Sequence, residues 1–239
     1  MPRGSRAALL LASLVVALTG TPWVASAAKR RATPPPPTRM QKLGRVLALE
    51  DARSLGAGEL ERYLRDPDRS IRRRASLAAG RVAQASIVPV LVELMNDQEA
   101  EVRQMTAFAL GLIGDRLAVD RLRASLKDTD TVVRARAAEA LGRIGDKRAA
   151  GDVAAFVLGA IPHGASVVTV RGDDPGSPSD PWVELRLGLF ALAGLKDASA
   201  AASALLVGGK PRFDWWAATW TAMRLEEPSL KPVLLAAAA

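Results

Sequence analysis

Three segments of this 239-residue chain repeat one pattern at a fixed interval: DPDRSIRRRASLAAGRVAQ (66–84), DQEAEVRQMTAFALGLIGD (97–115) and DTDTVVRARAAEALGRIGD (128–146). Their starts lie 31 residues apart. At that interval Asp66, Asp97 and Asp128 align, as do Arg72, Arg103 and Arg134, and Gly80, Gly111 and Gly142. Such a period leaves few ways to fold. Each unit is one small supersecondary element that cannot bury its apolar face alone, so stacked neighbours must supply the core.

A second helical segment lies between the copies: ASIVPVLVELMND (85–97), RLAVDRLRASLKD (116–128) and, more weakly, GELERYLRD (58–66). Apolar residues recur in them at helical spacing, as in Val119, Leu122 and Leu126. Each unit therefore reads as helix A, a tight Asp turn, helix B and a Gly-Asp turn. The aligned Asp is expected to cap helix B, because a carboxylate accepts N–H groups that the first turn leaves without partners. The aligned Arg is expected to bridge to the turn of an adjacent repeat. Asp66/Arg72, Asp97/Arg103 and Asp128/Arg134 then form a structural ladder, not a catalytic cluster. The three glycines are expected at close contacts or turns, since neither G-x-G-x-x-G nor G-x-x-x-x-G-K-[ST] occurs in the chain.

The composition agrees with helices. Hydrophobic residues make up 49% of the chain and aromatic residues only 4%, so much of the apolar content is Ala and Leu, both strong helix formers. The expected class is all-α, an α-solenoid. The absence of Cys removes disulfides, thiolate catalysis and most structural zinc sites. The single His163 cannot build a cluster. Outside structural turns there are no paired carboxylates, no nucleophile–base set and no metal box. No catalytic residue, metal or cofactor is expected.

The pattern D-x-x-x-x-V-R-x-x-A-A-x-A-L-G-x-I-G-D resembles HEAT repeats of the short, phycobilisome-lyase (E-Z) type. The likeness is good over roughly 58–157 and loose elsewhere. It implies an α-solenoid whose B helices line one face, and the chain is expected to hold about five to six such helix pairs. The resemblance includes bilin lyases, which handle a chromophore on other proteins, although nothing in these residues indicates bilin. Some exported bacterial HEAT-repeat chains look like this one joined to a peptidyl-prolyl isomerase domain, of which no residues are present here.

The N-terminus reads as an export signal. MPRGSRAA (1–8) carries Arg3 and Arg6 and no acid, LLLASLVVALTG (9–20) is apolar, and Ala25 and Ala27 have the spacing a signal peptidase needs. Residues 1–28 are expected to be a signal peptide cut near Ala27 or Ala28. An uncleaved anchor is the alternative, though the apolar run is short of the roughly 20 residues a spanning helix needs. The product is then periplasmic or secreted and bacterial. KRRATPPPPTR (29–39) reads as an extended basic linker, and 40–239 as the solenoid.

The rhythm fails after GDVAAFVLGAI (151–161). ALAGLKD (191–197) matches ALGRIGD (140–146) at an offset of 51 residues, and the extra material is PHGASVVTVRGDDPGSPSDP (162–181). It reads as a solvated loop with a β-prone run from Val167 to Val170. His163, the RGD tripeptide 171–173 and the acids Asp173, Asp174 and Asp180 have no recognisable site spacing. PWVELRLGLFALAGLKD (181–197) then reads as a B helix, ASAAASALLVGG (198–209) as an A helix ended by Gly, and FDWWAATWTAMRLEEP (213–228) as a B helix. In that last helix Phe213, Trp216, Trp220 and Met223 are expected to face the core, with Trp215 partly exposed. SLKPVLLAAAA (229–239) reads as an A helix capped by Ser229 with Pro232 in its first turn. Its Ala-only end suggests an incomplete C-terminus or, alternatively, a dimer surface.

Burying positions 71, 75, 78 and 82 leaves an outward row: Arg73, Leu77 and Arg81; Gln104, Phe108 and Leu112; Ala135, Glu139 and Arg143. Phe108 and Leu112 are apolar where solvent is expected, and Arg73, Arg74, Arg81, Arg136 and Arg143 surround them. An apolar centre with a cationic rim is the composition of a protein-binding patch; the alternative is that Phe108 packs on a neighbouring B helix. The candidate partner-binding set is Arg73, Leu77, Arg81, Gln104, Phe108, Leu112, Arg136 and Arg143. The expected function is a non-enzymatic interaction scaffold of the cell envelope with an acidic or amphipathic protein partner. A HEAT-repeat arm of a larger envelope enzyme, such as an isomerase, is one alternative. A polyanion-binding solenoid is the other, suggested by the formal charge of +8. Interspersed acids and the export signal count against nucleic acid, and membrane contact is expected only if the signal is uncleaved.

Overall fold

The computed structural model describes residues 36–162, 167–170 and 180–238. The signal segment, most of the linker, His163, the RGD tripeptide and Asp174 lie outside the described residues. The helices run α1 (Arg39–Asp51), α2 (Glu59–Leu64), α3 (Arg69–Val82), α4 (Val88–Leu94), α5 (Ala100–Ile113), α6 (Val119–Ser125), α7 (Thr131–Ile144) and α8 (Ala150–Gly159). There follow β1 (Val168–Thr169), α9 (Val183–Leu195), α10 (Ala198–Leu205), β2 (Leu206–Val207), β3 (Lys210–Pro211), β4 (Phe213–Asp214), α11 (Trp216–Leu225) and α12 (Lys231–Ala237). Helices α2–α3, α4–α5, α6–α7, α8–α9 and α10–α11 form five A–B pairs between α1 and α12, an all-α solenoid.

Helix α1 begins at the last residue assigned to the linker, Arg39, because Thr38 and Gln41 form a reciprocal capping box. The B helices bury one stripe each at matching positions: Ile71, Ala75 and Ala78 in α3; Val102, Thr106 and Ala109 in α5; Val133, Ala137 and Ala140 in α7. These stripes join one apolar seam that runs from Val46 in α1 to Val233 in α12. The repeat glycines set how closely the B helices stack. A Cβ at Gly80 would stand 2.7 Å from the Ala109 Cα, one at Gly111 2.8 Å from the Ala140 Cα, and one at Gly142 2.4 Å from the Ala191 Cα. Gly44 is the converse case: it sits exposed inside α1 with open space where a Cβ would go. Gly44→Ala is expected to stabilise the protein by about 0.5–1 kcal/mol, through helix propensity alone, and chemical denaturation would measure it.

The aligned aspartates do not cap helix B. Asp68 and Asp130 do so, accepting the N–H of Ser70 and Val133, and Glu99 stands at the equivalent position without a side-chain bond. Asp66, Asp97 and Asp128 sit two residues earlier. Each accepts the N–H of residue 68, 99 or 130 at 2.9 Å and so fixes the turn. The reason is positional: a cap must immediately precede the first helical residue, and the repeating Asp falls two residues short of it, where its carboxylate can hold the turn and still pair laterally.

The C-terminal region departs further from the expected pattern. α10 stops at Leu205, and Gly208–Gly209, at φ +55° and +78°, turn the chain into the β2–β3 hairpin. β4 pairs in parallel with β1 of the insertion, where Val168 is buried. The described part of the insertion is therefore packed against the last repeats and not a free excursion. Ser229 makes no capping bond; it lies within a 3-10 turn opened by Pro228. Among the described residues no helix is long and apolar enough to cross a membrane.

Candidate interaction face

The lateral ladder links each repeat to the next. Arg72 donates to both oxygens of Asp97 at 2.6 and 2.9 Å and to the carbonyls of Asp66 and Pro67 in its own turn. Arg103 does the same with Asp128 at 2.9 and 2.8 Å and with the carbonyls of Asp97 and Gln98. Lys42 reaches Asp66 at one end, and Arg134 reaches Glu184 across the insertion at the other. Bidentate forks of this kind are strong and directional. Burial pushes the Asp97 and Asp128 carboxyls up. The guanidinium of Arg72 or Arg103 and the N–H of Glu99 or Asp130 together outweigh it and hold both below the usual carboxylate range.

On the outward face of the B helices, Leu77, Phe108 and Leu112 are half-buried. Two guanidiniums of α7 lie over the Phe108 ring, Arg136 at 5.4 Å and Arg143 at 5.5 Å from its centroid. Both of these arginines also grip Glu139, at 2.7 and 2.9 Å. Phe108 is thus packed on its neighbour helix and still open on one side, a cation–π arrangement. Arg81 pairs with Glu50 at 2.7 Å and Gln104 donates to Asp130 at 3.0 Å, while Arg73 is exposed. Ala135, expected in this row, is fully buried. Its methyl is too short to emerge past the stacked helices, whereas the long side chains of Arg73 and Gln104 at the same register do.

The same face continues where the sequence pattern was lost. The left-handed residues that end helices B are Ala83, Gly114, Gly145, Lys196 and Glu226, so the offset from α7 to α9 is 51 residues and from α9 to α11 is 30. Applied to the Leu77–Phe108–Glu139 column, these offsets give Phe190 and Trp220. The two rings meet edge to face at 4.7 Å, and Trp216 lies 5.8 Å from Phe190. Trp216, Trp220 and Met223 are 48%, 38% and 57% exposed, so they do not face the core as their spacing suggested. Phe213 is buried, and Trp215, expected to be partly exposed, is buried as well. The cause is the start of the helix. α11 begins at Trp216, so Phe213 and Trp215 belong to an extended segment in which helical spacing does not apply. The helix buries Ala217, Ala218, Thr221 and Ala222 and leaves its large side chains outside.

Two hollows result. One of about 1040 Å³ lies between α11, α12, β1 and the β3–β4 segment, with Trp216, Trp220 and Met223 on its wall. The second, of about 440 Å³, lies between α7, α9 and α11, shares Trp220, and is lined by Arg143, Lys196 and Arg224. A smaller cleft of about 180 Å³ flanks Phe108 between Arg73 and Arg136. Among the described residues no group of His, Asp and Glu could hold a metal ion.

Paired helices stacked through one seam, with a lateral Arg–Asp ladder, define an α-solenoid. Residues 56–142 and 88–158 match the HEAT-repeat family. The complex of CpcE and CpcF of phycocyanin lyase from Nostoc sp. PCC7120 is similar in fold. The identity is 22% and the TM-score 0.53, over 84% of this chain and 70% of that one. No curated protein matches the chain.

Proposed function

We propose that this chain is an exported, non-enzymatic interaction scaffold of the bacterial envelope that captures a protein partner on its B-helix face. The observation that carries this reading is the continuous column Leu77–Phe108–Glu139–Phe190–Trp220 over five successive B helices, with guanidiniums lying over its Phe108 and Trp220 rings. Rigid aromatic surface beside arginine is the composition of interface hot spots, and stacked repeats hold such a surface in place without ordering cost on their own side. The export signal in residues 1–28 supports placement outside the cytoplasm. Much of the positive charge is taken up inside the molecule, since Arg72, Arg81, Arg103, Arg134, Arg136, Arg143 and Arg148 all hold carboxylates. This favours a protein partner over a polyanion, whose binding depends on unneutralised cations.

Phe108→Asp tests the reading. The new carboxylate would lie close to Arg136 and Arg143, so the unfolding free energy is expected to change by less than about 1 kcal/mol. Partner capture by the full chain, read by cross-linking in fractionated cells, is expected to fall at least about tenfold. A large drop in stability would place Phe108 in the structural core instead. Recovery of the full chain from the cytosol would sink the envelope assignment.

A further inference from the structure

We infer that the two hollows joined at Trp220 form one docking site for an acidic amphipathic helix of a partner protein. This rests on the reading of the B-helix face as the partner-binding face, and it assigns the anchor point and the chemistry of the occupant.

Trp216, Trp220 and Met223 recur at i, i+4 and i+7 on α11, and all three are more than a third exposed. The helix turns its small residues inward, so its largest apolar area faces the groove. A groove of about 1040 Å³ exceeds any one side chain and fits several from a single segment. Its other walls carry Val167, Val170 and Val233, which suit Leu-type anchors, with Lys210 and Asp214 both on the β3–β4 side. An amphipathic helix delivers anchors at this spacing.

The adjoining pocket fixes the charge. Arg143, Lys196 and Arg224 line it, and the carboxylate on its wall, Glu139, is already held by Arg136 and Arg143. Arg224 lies over Trp220 at 5.9 Å, and among the described residues neither it nor Lys196 is in an ion pair. Cationic surplus directly beside an apolar groove matches a helix with carboxylates one turn from its apolar stripe.

The probe is a fluorescein-labelled synthetic helix of about 16 residues, with Leu at three anchor positions and Glu on the flanks. The controls are its Glu-to-Lys counterpart and an oligothymidylate. The full chain is expected to bind the acidic helix with a Kd of about 10 μM and a change in tryptophan emission. Trp220→Ala is expected to weaken binding at least about tenfold. Arg224→Glu should weaken the acidic helix and strengthen the basic one. Trp216→Ala provides a second reading should Trp220→Ala fail to fold by circular dichroism. No saturation by about 1 mM, equal affinity for the two helices, or stronger binding of the oligothymidylate overturns the proposal. Loss of the natural partner in Phe108→Asp alongside any of those results would leave the face standing without this site. Tight, Trp220-dependent helix binding together with unimpaired partner capture by Phe108→Asp would do the reverse.

Discussion

Gly142→Ala is expected to destabilise this protein by about 3 kcal/mol, the upper end for overpacking a dense interface. One added methyl would lie 2.4 Å from the Cα, 2.9 Å from the Cβ and 3.0 Å from the carbonyl oxygen of Ala191. These are mainly backbone atoms of α9, so no side chain can rotate away. The strain has to be relieved by moving α7 and α9 apart. That motion opens the seam at the one junction that the insertion has already lengthened. Gly145→Ala provides the contrast, because Gly145 has φ +71° but its nearest neighbour is 3.7 Å away. It is expected to cost only the roughly 1 kcal/mol of a left-handed Ala. Denaturant titration of both variants checks the pair. A loss at 142 no larger than that at 145 would mean that α7 and α9 move apart at little cost, since Gly142 is helical and has no left-handed conformation to explain it.

Arg103→Ala is expected to cost about 2–3 kcal/mol near pH 7. The change removes a two-oxygen clamp and two carbonyl bonds, and it leaves the Asp128 carboxylate largely enclosed without its counter-ion. The loss has a defined pH dependence. In the folded protein the Asp97 and Asp128 carboxyls titrate below the usual range. Their contribution is therefore complete above the unfolded carboxylate pKa near 4 and disappears as pH falls through the lower folded value. The variant should differ most from the parent at neutral pH and converge with it in acid. Unfolding midpoints at pH 7 and pH 3 test this; a pH-independent gap would show that the carbonyl bonds and packing of the arginine stem, not its pairing with Asp128, are what matter.

The repeat made much of the fold legible. Where the 31-residue interval held, burial transferred from α3 to α5 and α7 at 71/102/133, 75/106/137 and 78/109/140, but not at 82/113/144, where Val82 is buried and Ile113 and Ile144 are half-buried. Legibility failed where local chemistry departed from the periodic pattern. The aligned aspartates looked like caps because sequence spacing does not say which residue first takes helical angles. Trp215 and Trp216 exchanged roles for the same reason: extending the helix back to Phe213 rotates every later side chain. The aromatic half of the face was missed because the column was counted only at 31. Its continuation needed the offsets 51 and 30, and the first of these was already visible in ALGRIGD and ALAGLKD. Ala135 is a different kind of error. Its angular position was right, but a methyl cannot reach solvent from there.

The offset of the ladder makes the molecule directional. Because each guanidinium holds its own turn with one nitrogen and the following turn with the others, every rung offers an acceptor backwards and a donor forwards, as the teeth of a zip do. A unit copied in tandem would find both of its partners waiting, so arrays of different length can share one set of joints. Growth or loss of whole units changes the reach of such a spring without redesigning any coil of it.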